Sequence, residues 1–142
     1  MKKITLNGND DFDGIVEKII IENNKKRTTI TIKQWNFNGT NTYVLSVLEF
    51  NNVIFQSLPD ISSFNLVREI THRRNTKAVL LELNEYLNDN PTLVLHSTED
   101  NISNEISNES IVQSYFFRSG YCKDWLIICS EMNKKEFEVA KD

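Results

Sequence analysis

Polar and apolar residues alternate along several stretches of this chain, and a period of two is typical of strands with one buried face. The alternation is clear in "KKITL", and "TTITIKQWNF", "TYVLSVLEF" and "VIFQSL" are rich in the β-branched and aromatic residues that favour strands. Asn51 and Asn52 stand between the last two segments and tolerate the positive φ of a tight hairpin. These patterns predict a strand for each segment, with an antiparallel pair across Asn51-Asn52.

Other stretches repeat their apolar residues every three to four positions, as a helix with one buried face does. In "NDDFDGIVEKIIIENN" this spacing follows acidic residues, which predicts a helix directly after the first strand. The leucines of "THRRNTKAVLLELNEYL", Thr71 to Leu87, predict a second helix. Ile111 and Tyr115 lie four residues apart and predict a third, which starts near Asn108 and ends at Gly120.

The remaining segments of the second half predict strands and loops. "FNLVREIT" before the Thr71 to Leu87 helix, the apolar run "TLVLHS" after it, and "DWLIICSEM" near the end predict strands, whereas "TEDNISNEI" predicts a polar loop. The last residues, "NKKEFEVAKD", are interpreted as helical or loose. A strand, helix, strand unit late in the chain is expected to be parallel and right-handed. The expected fold is α/β (α+β): a mixed, mostly antiparallel sheet flanked by helices, with one parallel strand pair.

Length and charge restrict the class of protein. A chain of 142 residues suits one domain, 1–142, with its own core. Its formal net charge of -4 argues against a general nucleic-acid binder, which needs a basic face. No apolar run reaches the length of a membrane span and "MKKITLNGND" lacks the apolar core of a secretion signal, so we expect a cytoplasmic protein without membrane contact.

Cysteine and histidine give little sign of metal or redox chemistry. Cys122 and Cys129 are expected to be reduced, buried thiols that cannot easily bridge each other. The two histidines and two cysteines have no metal-ligand spacing, so no metal site is predicted. His96 and Thr98 form only one of the pair of His-x-Thr/Ser motifs that two-histidine phosphoesterases carry, which argues against that class.

Three cations at the start of the Thr71 to Leu87 helix are the unusual feature of the sequence. Arg73, Arg74 and Lys77 lie near the positive end of the helix dipole, where cations cost stability unless an anion joins them. Asn75 or Thr76 can cap this helix, and its first N–H groups lack intrahelical partners. A phosphate or pyrophosphate would satisfy these groups together. The alternative is a solvated basic turn whose side chains lie over the surface.

At this turn the sequence resembles the Gcn5-related N-acetyltransferases. That family has Arg/Gln-x-x-Gly-x-Gly/Ala-x-x-Leu at a strand-to-helix turn, and "RRNTKAVLL" fits it with Thr76 in place of the first glycine. Later, "NESIVQSYFFRSGY" is similar to the family pattern Asn-x-x-Ala-x-x-x-Tyr-x-x-x-x-Gly-Phe, with Tyr121 in place of its phenylalanine. The resemblance implies the fold of that family, with the parallel strand pair at its cofactor site.

The resemblance also implies a function and roles for residues. It implies transfer of an acetyl group from acetyl-coenzyme A directly to an amine of a small molecule or protein. Tyr115 would protonate the departing thiolate, with a core aromatic as the alternative role, and Asn108 would bind the cofactor arm or cap its helix. Glu69, and after it Glu49, are the candidate general bases. The implied cofactor-binding residues of the turn are Arg73, Arg74, Asn75, Thr76, Lys77 and Ala78.

A binding protein is the second function that the sequence leaves open. Small acidic α/β proteins often neutralise or regulate another protein, and a fold does not decide between a binder and an enzyme. An inactive scaffold similar to the acetyltransferases, or an unrelated mixed α/β domain, would serve. Because many members of the resembled family pair through their sheets, a homodimer is also expected to be possible.

Overall fold

The computed structural model describes residues 2–36, 41–58, 65–120 and 123–140. Its helices are α1 (Thr76–Asp89) and α2 (Glu99–Asn108). The strands are β1 (Lys2–Lys3), β2 (Gly14–Glu22), β3 (Arg27–Trp35), β4 (Thr42–Asn51), β5 (Phe55–Ser57), β6 (Leu66–Arg74), β7 (Gln113–Ser119), β8 (Trp125–Cys129) and β9 (Glu131–Ala140). They form one sheet in the order β5-β8-β7-β6-β2-β3-β4-β9, with β1 beside β6.

The sheet folds over so that its two ends meet. β4 continues through a bend into β5, and β8 continues into β9. β4 pairs with β9 and β5 pairs with β8, and the Ser130 N–H donates to the Asn51 carbonyl at 3.1 Å between the two ladders. The result is two layers. We call β1, β5, β6, β7 and β8 the covered layer, and β2, β3, β4 and β9 the open layer.

The main core lies between the layers. The alternating buried residues of β3 and β4, among them Ile30, Ile32 and Leu48, face it from the open layer. Phe117 and Trp125 face it from the covered layer and stack at 4.9 Å between ring centroids. In strands with one buried face, every second residue is expected to point to the core in this way.

A second core lies outside the covered layer, under both helices. Val79 and Leu83 of α1 pack with Leu126 and Ile128 of β8, all of them buried. Tyr86 of α1 completes this contact, because its hydroxyl is within 2.7 Å of the Ser57 hydroxyl and 2.9 Å of the Asp124 carbonyl. All five residues of β8 are therefore buried, on both of its faces.

The expected fold class is wrong. Every ladder within the described residues is antiparallel, so the parallel strand pair is missing there, and both helices lie on one side of the sheet. The reason lies between β6 and β7. Arg74, at the end of β6, pairs with Gln113, at the start of β7, so the connection must return to the edge it left. A pair of helices does this, whereas a single helix would lead to a parallel strand.

The predicted helix in "NDDFDGIVEKIIIENN" is also wrong, because this segment forms β2. The β2–β3 register shifts between Val16 and Lys18, which is a β-bulge. The bulge adds one residue to the alternation, so that the apolar spacing imitates a helix. Ile and Val are stiff, β-branched residues that favour the strand.

The three elements predicted between Pro91 and Gly120, a strand, a polar loop and a helix, are wrong. "TLVLHS" does not form a strand, and Val94 within it is 91% exposed. The expected polar loop contains α2, where Thr98 caps the first turn and Ile102 and Ile106 face the core. The expected helix from Asn108 is instead β7, since its aromatic residues pair with β6 and β8.

Other predictions are confirmed. β3, β4, β5, β6, β8 and α1 lie where the patterns place them, although α1 begins at Thr76 and not at Thr71. Asn52 has a φ of 52°, as expected, but it bends β4 into β5 and does not join an antiparallel pair. The tail forms β9. Cys129 is a buried free thiol, whereas Pro59, Tyr121 and Cys122 lie outside the described residues. Neither described helix has the length and apolar character needed to cross a bilayer.

Candidate functional site

The turn between β6 and α1 has the strand-to-helix form predicted from the sequence. β6 ends at Arg74, α1 begins at Thr76, and Asn75 lies between them with a φ of 71°. The Asn75 side chain accepts a hydrogen bond from the Ala78 N–H at 2.9 Å and so caps the helix. Lys77 is exposed on the first turn.

The two arginines of this turn have different partners. Arg73 faces α1, where its guanidinium lies 3.3 Å from Glu82 and 3.5 Å from Glu85. Arg74 donates its Nε–H to His72 Nε2 at 3.3 Å. The alternation of β6 thus separates the side chains of Arg73 and Arg74, and a carboxylate already neutralises the first.

A cavity of about 440 Å³ lies beside this turn, and we call it the turn cavity. Its lining residues are Lys2, His72, Arg73, Arg74, Asn75 and Ala78. Lys2 arrives there because β1 pairs with β6, which places Lys2 opposite His72. Burial lowers the pKa of His72, and the charges of Arg74 and Lys2 lower it further. The ring stacks on Tyr115 at 5.4 Å.

Tyr115 is an interior residue of the two-layer core. It is 3% exposed and donates its hydroxyl hydrogen to Gln113 Oε1 at 2.9 Å. Burial raises its pKa strongly, and the neighbouring Cys129 adds to the effect. The side chain lies on β7 and not on a helix, so the geometry that the resemblance implies for a proton donor is absent.

The remaining candidates are spread over the molecule. Glu69 of β6 pairs with Lys3 at 3.1 Å and with Arg118 at 3.4 Å. Asn108 is the exposed last residue of α2, and so it does not cap the start of that helix. Glu49 lies on the open layer, where a hydrogen bond from Asn51 holds its pKa below the usual range. Of the site residues predicted from the sequence, the structure therefore brings together only those of the turn.

A different surface is formed by the open layer. Cross-strand pairing places Trp35 beside Tyr43, Tyr43 beside Val139, and Leu45 beside Phe137. We call these five residues the aromatic patch. Trp35 is 36% exposed and Phe137 is 51% exposed. The Trp35 and Tyr43 rings meet edge to face at 5.5 Å between centroids.

Two lysines lie beside the aromatic patch. Lys33 Nζ lies 4.5 Å from the centroid of the Trp35 ring and 4.4 Å from that of Tyr43, within the range of a cation–π interaction. Lys135 is the cross-strand partner of Val47, one row from Leu45. Lys33 also pairs with Glu17 at 3.4 Å, so the exposed rings have charged side chains of both signs at their border.

Sequence reasoning missed the patch and two of the six residues that line the turn cavity, Lys2 and His72. The period of two in "KKEFEVA" is visible, but the choice between helix and coil for the tail concealed it. No local pattern in the sequence connects Lys2 with His72, which are seventy residues apart. Both sites depend on strand pairing, which is a property of the folded chain.

Metal ligation and known relatives add no further assignment. Within the described ranges, no group of three or more His, Cys, Asp or Glu side chains could hold a metal ion. Comparisons with family models, with curated proteins and with solved structures find no match to this chain. The resemblance to the acetyltransferases therefore depends on the quoted motifs alone.

Proposed function

We propose that this protein binds another protein and regulates or neutralises it, with the aromatic patch as the contact surface. The observation that carries the proposal is the exposure of Trp35 and Phe137 on a sheet face to which neither of the two described helices packs. Exposed apolar groups that lie side by side mark interaction sites more often than single ones do.

The composition of the patch suits a protein partner. Trp and Tyr are enriched among the residues that dominate binding energy, and such residues lie at the centre of an interface inside a polar border. Trp35, Tyr43 and Phe137 would form this centre, and Lys33 and Lys135 part of the border. The rings lie on strands of a two-layer core, so little conformational entropy would be lost when a partner binds.

Acetyl transfer to an amine stays a prediction from the resemblance. Tyr115 has little access to solvent, and Glu69 already has two cationic partners. No contact among the described residues favours transfer from acetyl-coenzyme A over binding, so we do not carry it further. A cytoplasmic location is part of the proposal and depends on the sequence pattern alone.

The test uses a photo-crosslinking amino acid in place of Phe137 in the full chain. The matched control has it in place of Leu81 on α1, which is 52% exposed where Phe137 is 51% exposed. We expect one protein from extracts of the producing cells to be crosslinked from position 137 and not from position 81. That protein is then identified and purified.

Affinity measurements with the purified partner complete the test. We expect Trp35→Ala and Phe137→Ala each to raise the Kd by about tenfold or more, with Leu81→Ala unchanged. An unchanged Kd in both patch variants would overturn the proposal. Crosslinking to a second copy of the chain, with a dimer in sedimentation that Phe137→Ala dissociates, would replace the regulatory role by self-association.

A further inference from the structure

We infer that the partner of the aromatic patch adds an extended segment, as a further strand, to the outer edge of β9. The inference rests on the proposed function, because it states how the same partner is held. In this mode of binding, main-chain hydrogen bonds to the edge of a sheet give affinity, and the side chains of alternate residues give specificity.

β9 forms one end of the described sheet. It pairs with β4 along all ten of its residues, and no other described strand lies beside it. None of these ten residues is buried. β5, at the other end of the strand order, has only three residues, two of which are buried. β9 thus offers the longer row of main-chain donors and acceptors to another chain.

The hydrogen-bond pattern shows which main-chain groups of β9 form this row. In an antiparallel ladder, alternate residues direct both their N–H and their C=O to the same neighbour. The Asn36 N–H donates to the Thr42 carbonyl at 3.1 Å, in register with the β3–β4 ladder, so the even-numbered residues of β4 bond to β3. The odd-numbered residues bond to their odd-numbered partners on β9. The main-chain groups of Lys134, Glu136 and Glu138 therefore point away from β4.

Side-chain contacts hold β9 in place without using these groups. Lys134 Nζ donates to the Thr5 carbonyl at 2.7 Å. The Glu136 carboxylate accepts from the Asn7 N–H, also at 2.7 Å. Among the described residues, no hydrogen bond outside the β4 ladder uses the main chain of residues 134–138. The strand is thus ordered before a partner arrives, which lowers the entropy cost of binding.

The outer row of side chains on β9 defines the chemistry of the added segment. Lys135, Phe137 and Val139 pair with the half-exposed residues of β4, and the last two belong to the aromatic patch. Residues opposite them on an added strand would lie beside them on the same face. Apolar residues opposite Phe137 and Val139 would extend the patch, and an acidic residue opposite Lys135 would form a cross-strand charge pair. The segment therefore has the pattern acidic-x-apolar-x-apolar in one of its directions.

A second copy of this chain suits the edge less well. Two β9 strands related by a two-fold axis would pair antiparallel, and residues opposite each other would share a face, so their numbers would differ by an even number. The registers centred on 135, 136 and 137 place Lys135 opposite Lys135, Glu136 opposite Glu136, and Glu136 opposite Glu138. Like charges directly opposite each other destabilise a strand pair. The segment therefore belongs to a different protein.

The first test is hydrogen exchange followed by NMR, on the full chain alone and with the partner captured from position 137. In the free protein we expect β4 to protect the amides of Lys135 and Phe137, whereas those of Lys134, Glu136 and Glu138 exchange rapidly. The partner should slow exchange of the second set by about tenfold or more. Unchanged exchange of that set in a saturated complex would overturn the inference.

A matched pair of variants at Glu138 separates the main chain from the side chain. Proline removes the outward N–H and is tolerated at an edge where that group points to solvent, whereas alanine keeps the N–H and removes only the charge. We expect Glu138→Pro to raise the Kd of the partner by about tenfold and Glu138→Ala to leave it unchanged. Circular dichroism shows whether both variants are folded, and if Glu138→Pro is not, hydrogen exchange in the unaltered chain decides.

The outcomes separate this inference from the proposed function. If Phe137→Ala weakens binding while Glu138→Pro and Glu138→Ala bind alike, the patch holds the partner and the edge does not, so only this inference fails. If position 137 captures no protein, or captures only a second copy of this chain, both fail.

Discussion

The two layers of the sheet differ in how many faces of their strands are buried. On the open layer, β3 and β4 bury one face and leave the other half exposed. On the covered layer, β8 is buried on both faces, because α1 and α2 pack over its outer side. The covered layer thus borders two cores, whereas the outer face of the open layer is half exposed, and this is the face that we propose as the binding surface.

The outer face of the open layer is itself divided. Its central positions on β3 are Thr29 and Thr31, which suit a solvated strand face. Trp35, Tyr43 and Phe137 stand at one end of the same face. Trp35 is 36% and Phe137 is 51% exposed here, which is why we interpret the rings as a binding surface.

The largest loss of stability is expected in the core between the two layers. Trp125 is fully buried and stacked on Phe117, so Trp125→Ala should lower the free energy of unfolding by about 3–5 kcal/mol. Urea denaturation followed by circular dichroism measures the change. A loss below about 1 kcal/mol would mean that the two layers do not share this core.

A matched pair of leucines compares the layers directly. Leu126 is fully buried under the helices, and Leu126→Ala should cost about 2–5 kcal/mol. Leu45 is half buried on the open layer, and Leu45→Ala should cost about 1 kcal/mol or less. Equal losses in the two variants, measured in urea, would show that the outer face of the open layer is also covered.

A matched pair of tyrosines tests how α1 is attached. Tyr86→Phe removes a buried hydroxyl that bonds to Ser57 and the Asp124 carbonyl, and it should cost about 1–3 kcal/mol. Tyr43→Phe on the open layer should change the free energy of unfolding by about 0.5 kcal/mol at most. Thermal and urea denaturation of both variants measure the difference, and similar losses would contradict it.

The smallest effect is the pH dependence that His72 contributes. Its folded pKa is below the ordinary 6.5, so below that pH the unfolded chain takes up a proton that the folded protein resists. Stability should therefore fall as the pH drops from 6.5 towards the folded pKa. His72→Asn should reduce this slope, measured by urea denaturation at a series of pH values. Equal slopes in His72→Asn and the unaltered protein would exclude this role.

Local patterns correctly predicted the elements whose own residues show the composition or spacing typical of their structure. β3, β4 and β8 follow from β-branched and apolar runs, and α1 from its leucine spacing. β2 could not be recognised in this way, because its bulge breaks the alternation. β7 lies where a helix was predicted, because Ile111 and Tyr115 show a helical spacing that pairing with β6 and β8 overrides. α2 lies in the segment that was predicted to be a polar loop.

For the candidate sites, too, some features follow from the sequence and others only from the tertiary structure. The sequence by itself determined the strand-to-helix turn from Arg74 to Ala78, because capping and helix dipoles act over a few residues. It also determined that β3 and β4 each have one buried face. Only the tertiary structure decided that Lys2 and His72 complete the turn cavity, that Tyr115 is interior, and that Trp35, Tyr43 and Phe137 meet. The physical reason is strand pairing, which joins residues far apart in sequence through hydrogen bonds whose partners no local pattern specifies.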